Sequence, residues 1–375
     1  MPMHWRGTAD AAHGCVGGSG DATWRPGGSK KGSATFGPRC EMPVCSQGLA
    51  YARITRCSLC AASYVAVPSG VNDVQGAADR DLALSVVVMG YRNRDTIVRA
   101  VRSVVDQASP GPFEVVVVTS GGDDSAEEVR RSFPALCVVE SSVRLLPGAA
   151  RNAGVAATRG RTVAFLAADC VAEPGWIAAR LAAHDVGHPA VACAVTNGER
   201  RRPSAWAFHF ELYAERLPGR PPGPVDAPDA ACHGLSLDRS LLERLGPFDE
   251  QVEIGEDTKA ALRLAAMGVP VWFEPTVRTA HFGPRDTVSM LRARYRQGRQ
   301  LAALDCSTAR PALPLLRRWT RRVHRTVAFA WRHAGRDRPW VILAVPWIMA
   351  GRAAGLAGWY RARSRIVPGT RRANS

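Results

Sequence analysis

Residues 161–176 read RTVAFLAADCVAEPGW, and this stretch joins a strand-length apolar run to a single acid. Six apolar residues, 163–168, precede Asp169, and Pro174 and Gly175 then end the pattern. The run predicts a buried strand with a carboxylate at its carboxyl end. Ligands bind at that edge of open parallel sheets, so Asp169 could hold a cation, a ribose or a phosphate-bound metal. The alternative is that Asp169 only caps a helix or closes a turn.

Strand and helix patterns alternate upstream of this stretch. Buried strands are predicted at 84–89, 114–118, 136–140 and 162–168, and helices at 95–107, 124–133 and 148–158. The second helix begins with Asp124 and Glu127, a spacing that resembles a capping box. Such alternation implies right-handed crossovers and an α/β fold with a mainly parallel, Rossmann-like sheet flanked by helices. The turn GYRNRD at 90–95 lacks Gly-x-Gly-x-x-Gly, which argues against a dinucleotide-binding dehydrogenase.

Charge is unevenly distributed along the 375 residues, whose formal net charge is +16. Residues 81–284 hold 21 Lys+Arg and 25 Asp+Glu, whereas residues 285–375 hold 20 and 3. A core that binds nucleic acid would carry its own basic groove, so we expect no nucleic-acid partner. A basic tail beside an apolar stretch instead fits an anionic membrane surface.

Residues 1–80 lack sustained periodicity and are rich in Gly, Ser and Ala, so we predict that they are disordered and of low complexity. Cys57 and Cys60 have the C-x-x-C spacing, and with Cys40 and Cys45 they leave zinc binding as an alternative. The N-terminus shows no apolar signal-peptide region. We therefore expect reduced thiols and a cytoplasmic protein, at the cytosolic face of a membrane.

The alternation loosens after about residue 191. A Pro/Gly-rich stretch at 217–229 is predicted to be a disordered loop or a lid over a site. A compact segment, 233–281, follows and contains GPFDE at 246–250, IGEDTKAALRLAAMG at 254–268 and a short strand at 271–273.

Five segments, in order, resemble glycosyltransferase family 2, whose nucleotide-sugar-binding domain has the GT-A fold. They are SVVVMGYRNRDTIVRAVRSVVDQ from residue 85, GAARNAGVAATRG from 148, FLAADCVAEPGW from 165, GPFDE from 246 and GEDTKAALRLAAMG from 255. The resemblance covers residues 82–305. It implies an inverting transferase that moves a sugar from a nucleoside diphosphate sugar to an acceptor hydroxyl with Mg²⁺ or Mn²⁺.

The resemblance also implies roles for individual residues. Asp169 would hold the metal, with His281 as a further ligand, and Asp257 would be the general base, with Glu256 orienting an acceptor or a main-chain donor. The nucleotide-sugar pocket would be lined by Met89, Tyr91, Ser120, Arg151, Ala168 and Asp169, with Arg151 on the diphosphate. Structural alternatives stay open for these residues. His281 could be a packed imidazole, and Arg151 could be a solvated residue on a helix. Glu256 and Asp257 could be acids that interact with the positive end of a helix dipole.

Two departures from the family pattern weaken this expectation. The family usually has Asp-x-Asp where this chain has Ala167, Ala168 and Asp169. Thr119 and Ser120 stand where the family commonly has an Asp that reads the nucleobase. The alternative function is therefore a catalytically inactive GT-A-fold protein that binds a nucleotide or a partner. A nucleotidyltransferase is disfavoured because the first turn lacks a Gly-rich phosphate loop.

The C-terminal region, 306–375, is basic and partly apolar. An amphipathic helix is predicted at residues 286–304, just before this region. Residues 340–360, WVILAVPWIMAGRAAGLAGWY, are nearly long enough to span a bilayer, but Pro346 and Arg352 interrupt them. Tryptophans at both ends favour an interfacial or re-entrant helix over a full span, with a buried core helix as the alternative. Membrane association would make a lipid-linked or envelope-glycan acceptor the natural choice.

Overall fold

The computed structural model describes residues 82–226, 234–284, 286–304 and 312–366. The predictions for residues 1–80, including disorder and zinc binding by the four cysteines, fall outside these ranges.

The first half of the sheet is parallel and confirms the predicted alternation. Its strands are β1 (Leu84–Tyr91), β2 (Phe113–Ser120), β3 (Cys137–Ser141) and β4 (Thr162–Ala167), and they lie in the order β3-β2-β1-β4. The connecting helices are α1 (Arg94–Val105), α2 (Ser125–Ser132) and α3 (Pro147–Ala156). Strands β1 and β2 are continuous apolar runs because helices cover both faces of a sheet built this way. The predicted cap of α2 does not form, since Asp124 makes no side-chain cap bond and pairs with Arg94 at 3.2 Å.

The second half turns the sheet into a mixed one. It contains β5 (Cys170–Ala172), β6 (Ala190–Asn197), β7 (Gly223–Val225), β8 (Ser236–Asp238) and β9 (Val271–His281). Strand β8 is antiparallel to both β4 and β6, while β9 is parallel to β6 and antiparallel to β5 and β7. The α/β, GT-A-like fold class is confirmed, although the sheet is mainly parallel only in its first half. Three of these strands have three residues each, too few to show a periodicity.

The remaining helices include a long C-terminal pair. They are α4 (Trp176–Asp185), α5 (Pro203–Tyr213), α6 (Arg239–Leu245), α7 (Glu256–Ala266), α8 (Thr287–Leu304), α9 (Ala312–His333) and α10 (Arg338–Ile366). Helix α10 continues through Pro346. By length and composition alone, one helical stretch of the described chain, Gly335–Ser364, could cross a membrane.

The core divides along the sheet, and this division places the candidate site. On one face, Val86 and Val88 of β1 pack with Ile97 of α1. On the other face, Val87 and Phe165 pack with residues that include Ala150 of α3 and Leu264 of α7. Phe248, which precedes α7 in the chain, belongs to the same cluster. Helices α3 and α7 therefore share one face. A third cluster joins α5, α9 and α10 through residues that include Trp206, Phe210, Ala330 and Ile348.

Candidate active site

The carboxyl ends of β1, β2 and β4 bring most of the predicted nucleotide-sugar residues to one edge. Tyr91 of β1 is in register with Ser120 of β2, and Met89 is in register with Ala167 of β4. The Ala168 N–H donates to the Met89 carbonyl at 2.8 Å. Asp169 lies in the turn between β4 and β5. This edge is where open α/β sheets bind ligands.

Tyr91 lies at this edge against a glycine-containing turn. Its side chain is half-exposed, and the guanidinium carbons of Arg144 and Arg92 lie 5.0 and 5.6 Å from its ring centroid. Gly121 has φ +98°, and a Cβ there would lie 2.6 Å from the Tyr91 ring. Arg92 itself has φ +50°, a strained conformation for a residue with a side chain. Such strain concentrates at functional sites.

The end of β2 offers hydroxyl groups. The Ser120 hydroxyl donates to the Gly90 carbonyl at 3.4 Å. Thr119 Oγ1 is buried without a hydrogen-bond partner among the described residues. Buried polar atoms normally have partners, so this hydroxyl is an available donor or acceptor at the ligand-binding edge.

Asp169 and His281, the two predicted metal ligands, lie next to each other. Pairing of β5 with β9 places Cys170 opposite His281, and the His281 Nε2 atom lies 3.6 Å from Asp169 Oδ2. The Asp169 side chain is 43% exposed, whereas His281 is buried. The rings of Phe208 and Tyr213 on α5 lie 6.3 and 5.2 Å from the imidazole, which fixes its position.

These two side chains suit a divalent cation that takes its other ligands elsewhere. One carboxylate and one imidazole fit Mn²⁺ better than Mg²⁺, which prefers oxygen ligands alone. Within the described ranges, no group of three or more His, Cys, Asp or Glu side chains could hold a metal ion. Burial and the neighbouring Asp169 raise the pKa of the Cys170 thiol well above its usual value, so this residue supplies no thiolate.

A second histidine, His209 of α5, lies behind His281 and was not identified from the sequence. Its ring is buried, 5.6 Å from that of Tyr213, and its Nδ1 atom has no hydrogen-bond partner within the described part of the chain. Burial, followed by the charges of His281 and Arg200, lowers the pKa of His209 to about 3. The imidazole is therefore neutral at physiological pH. No local sequence pattern marks a histidine for this position.

Arg151 and Glu256 form an ion pair that joins α3 to α7. Both side chains are buried, and the Arg151 guanidinium carbon lies 5.7 and 5.4 Å from the ring centroids of Phe165 and Phe248. A buried carboxylate requires such a partner. The expected diphosphate contact of Arg151, and the expected contact of Glu256 with an acceptor or main-chain donor, would each compete with this pair.

Two of the resembling segments contact each other directly. The Asn152 side-chain amide donates to the Phe248 carbonyl at 3.0 Å and its oxygen accepts from the Phe248 N–H at 2.9 Å. A Cβ on Gly148 would lie 2.0 Å from the Asp249 carbonyl oxygen, so only glycine fits this approach. The GAARNAG segment therefore holds the GPFDE turn that leads into α7.

Asp257 lies in the first turn of α7, directly after the buried Glu256. Gly255, with φ +88°, lets the chain enter the helix at this point. The Asp257 side chain is half-buried, and its Oδ1 atom accepts from the Thr258 N–H at 2.8 Å. The carboxylate is thus held at the positive end of the helix, on the face of the sheet that α3 and Phe165 occupy.

The mixed sheet, the carboxylate after β4 and the acidic start of α7 form a GT-A-like arrangement. Residues 85–246 match the model of Glycosyl transferase family 2. The matched range includes Arg151 and Asp169 but ends before Glu256, Asp257 and His281.

Proteins similar to part of this chain include a succinoglycan biosynthesis protein and a glycosyltransferase. The succinoglycan biosynthesis protein ExoO of Rhizobium meliloti is 36% identical over 105 residues, which are 26% of this chain and 28% of ExoO. The pre-mycofactocin glycosyltransferase of Mycobacterium tuberculosis is 32% identical over 147 residues, 36% of this chain and 30% of that protein. The matches therefore span about a third of the length of these relatives.

Solved structures with a similar chain course have low sequence identity. The mannosyltransferase PcManGT of Pyrobaculum calidifontis, in complex with GDP-Man and Mn²⁺, is 20% identical, with a TM-score of 0.49 over 76% of this chain and 88% of that one. S. aureus TarS 1-349 in complex with UDP-GlcNAc is 15% identical, with a TM-score of 0.43 over 75% and 92% of the two chains.

Proposed function

We propose that this protein transfers a sugar from a nucleoside diphosphate sugar to an acceptor hydroxyl, with inversion at the anomeric carbon. The observation that carries the proposal is the contact between Asp169, which follows β4 within the matched range, and His281 at the end of β9, whose Nε2 atom lies 3.6 Å from Asp169 Oδ2. Glycosyl transfer requires a binding site for a diphosphate and a base for the acceptor. The edge of the sheet at the carboxyl ends of its strands supplies the diphosphate site, and α7 supplies the base.

The donor lies along the carboxyl ends of β1, β2 and β4 in this proposal. Tyr91 provides a ring against which a nucleobase can stack, and Met89, Ser120 and Ala168 line the edge beside it. Asp169 and His281 would hold Mn²⁺ or Mg²⁺ at this edge. A bound divalent cation neutralises charge on the leaving diphosphate.

Asp257 acts as the general base on the acceptor. Its carboxylate takes the proton of the acceptor hydroxyl while that oxygen attacks the anomeric carbon from the face opposite the diphosphate. The bond from the anomeric carbon to the diphosphate oxygen breaks in the same displacement, so the configuration inverts. The buried Arg151–Glu256 pair positions the first turn of α7, and therefore Asp257, for this step.

The acceptor is a glycan or lipid-linked compound, and the protein acts at the cytosolic face of a membrane. In this proposal residues 82–305 form the transferase domain and residues 306–375 form a basic, membrane-facing tail. The acceptor class rests on the composition of that tail.

The rival function is an inactive protein that binds a nucleotide without turnover. Ala167 at the position of a family carboxylate favours it, as does the lack of a three-ligand metal cluster within the described residues. A two-ligand site binds a cation weakly unless the nucleotide completes the coordination.

A nucleotide panel with turnover separates the two functions. Thermal unfolding is measured with UDP, GDP, TDP, ADP and CDP, each with and without Mn²⁺, because a ligand that binds only the folded state raises its stability. Sugar nucleotides of the stabilising base are then tested for hydrolysis and transfer. Stabilisation with turnover supports the transferase, stabilisation without turnover across the panel supports the rival, and no stabilisation by any diphosphate contradicts both.

Asp169→Asn is the informative variant in this panel, with Glu243→Gln as its control. Glu243 is exposed on α6, so its charge is removed at a site that the mechanism does not use. The proposal requires that Asp169→Asn lose the Mn²⁺-dependent part of the stabilisation while Glu243→Gln retains it.

A further inference from the structure

Helix α10 packs against the globular part of the chain through a buried charge cluster. The carboxylate of Glu211 on α5 is fully buried, with Arg294 of α8 at 2.7 Å and Arg352 of α10 at 3.2 Å. Arg352 also donates to the Thr326 hydroxyl of α9 at 2.8 Å. The Arg352 charge, which would be costly inside a bilayer, is therefore paired with a carboxylate within the protein. Removing α10 from α8 would leave Glu211 buried without one of its partners.

Glycines bring the backbones of α8 and α10 into contact beside this cluster. A Cβ on Gly298 would lie 1.9 Å from the Gly355 carbonyl oxygen, and one on Gly358 would lie 2.1 Å from that of Tyr295. Such close approach leaves no room for lipid between the two helices. The inner side of α10 is thus covered by protein along this stretch.

The opposite side of α10 is apolar and exposed, and we call it the outer apolar face. Ile342 and Leu343 are 62% and 52% exposed. The other exposed members of the face are Pro339, Pro346, Met349, Ala350, Ala353, Ala357 and Tyr360. At 3.6 residues per turn these side chains fall within an arc of about 120° and extend over roughly 31 Å. This face contains no charged residue between its two ends.

A groove of about 540 Å³ between α9 and α10 opens onto the outer apolar face. Val323, Val327 and Trp331 line it from α9, and Val341, Ile342 and Val345 line it from α10. Ile342 belongs to both features, so the groove and the face form one continuous apolar surface. Patches of this kind on a soluble surface mark an interaction site.

The charges around this apolar surface indicate which kind of partner it can bind. Residues 312–366 contain twelve arginines and one acid, Asp337, which pairs with Arg200. Exposed Arg336 and Arg338 lie at one end of the outer apolar face, and exposed Arg361 lies at the other. A second copy of the chain would bring the same positive charge, and residues 1–80, with 8 Lys+Arg and 5 Asp+Glu, are also net positive. The complementary partner is apolar and anionic.

We propose that α9 and α10 form a peripheral membrane-docking surface for anionic bilayers. The outer apolar face of α10 lies in the plane of the lipid interface, the arginines at its ends contact anionic headgroups, and the α9–α10 groove takes a hydrocarbon chain of a bilayer lipid. The helix does not cross the bilayer, because its inner side stays packed on α5 and α8. This inference does not depend on the sugar-transfer chemistry.

Vesicle flotation of the full chain tests the surface. Phosphatidylcholine vesicles are compared with mixed phosphatidylcholine–phosphatidylglycerol vesicles at low and high salt. We expect binding to the anionic vesicles only, weakened by salt because headgroup contacts are screened. The double variant Ile342→Asp, Met349→Asp should lower the affinity at least about tenfold, because two apolar side chains no longer enter the interface. Val186→Asp, at a 74% exposed position beyond α4, is the matched control and should bind normally.

A second variant tests the charges and guards against a folding defect in the first. Arg336→Ser, Arg361→Ser keeps the apolar face and should weaken anionic-vesicle binding about tenfold or more, at about 1 kcal/mol per arginine. Equal binding to neutral and anionic vesicles would overturn the proposal. So would a membrane fraction that resists high salt and alkaline carbonate and yields only to detergent, which would indicate a span. A dimer in solution that the Ile342→Asp, Met349→Asp variant dissociates would assign the face to a second copy and also overturn it.

Discussion

Arg151 of α3 and Glu256 of α7, 105 residues apart in sequence, form an ion pair in which both side chains are buried. The pair lies against the rings of Phe165 and Phe248, so it ties the start of α7 to strand β4. Asp257 follows Glu256 directly. The position of the proposed base therefore depends on a contact between two segments that are remote in the chain.

Removing one member of this pair should be costly. Glu256→Gln leaves the Arg151 charge buried without its partner, and we expect the free energy of unfolding to fall by about 3–5 kcal/mol. Urea denaturation measures it. Arg130→Gln, which breaks an exposed pair with Glu140, is the control and should change stability by about 1 kcal/mol or less. Equal losses of unfolding free energy in the two variants would show that the buried pair contributes no more to stability than the exposed pair.

The cation site should depend on both Asp169 and His281. We expect Asp169→Asn and His281→Gln each to weaken Mn²⁺ binding, measured with the stabilising diphosphate present, by about tenfold or more, because each removes one of two protein ligands. His188→Gln is the control, since His188 stacks on Trp272 with ring centroids 3.9 Å apart, outside the candidate site. Unchanged Mn²⁺ affinity in His281→Gln would reduce His281 to a packing residue.

Acid should destabilise the protein through His209. Its pKa in the folded state, about 3, lies below its unfolded value near 6.5, so only the unfolded state takes up a proton as the pH falls through 6.5. This group then removes about 1.4 kcal/mol of stability at pH 5.5 relative to pH 7.5. His209→Gln cannot take up that proton. When the pH is lowered from 7.5 to 5.5, the free energy of unfolding of His209→Gln should thus rise by this amount relative to that of the natural protein. The same stability difference between the two proteins at both pH values would contradict the assignment.

The α8–α10 contact offers a matched pair of glycine substitutions. Gly298→Ala places a methyl group 1.9 Å from the Gly355 carbonyl oxygen, so it should destabilise the protein by about 1–3 kcal/mol. Gly355→Ala meets its nearest atom, the Arg294 carbonyl oxygen, at 3.4 Å, and it should be neutral or gain up to about 1 kcal/mol from helix propensity. Thermal unfolding distinguishes the two. The same response in both would show that α10 does not pack on α8 in this way.

The parallel half of the fold follows from local sequence because β1, β2 and β4 are continuous apolar runs. The structure ends α1, α2 and α3 within a few residues of the predicted positions. Strand β6, AVACAVTN, was missed because alanine and cysteine carry little strand preference. Strands β5, β7 and β8 have three residues each, and pairing with long neighbours defines them.

The positions of two candidate site residues follow from local patterns in the sequence. Asp169 ends an apolar run and Asp257 opens a helix, and the family resemblance supplied their roles. The Arg151–Glu256 pair and the position of His209 behind His281 depend on tertiary contacts, which leave no mark in nearby sequence. The outer apolar face could not be predicted from the sequence for the same reason, because only the packing shows which side of α10 contacts α8.

The kinetics of Asp257→Asn test the central claim most directly. With donor and acceptor identified, kcat and donor affinity are measured for the natural protein, for this variant and for the exposed-surface control Glu243→Gln. The account predicts that Asp257→Asn lowers kcat about 10²- to 10⁴-fold while donor affinity and thermal stability stay near those of the natural protein, because the change removes a base and leaves the donor site intact. Retention of kcat in Asp257→Asn would contradict it.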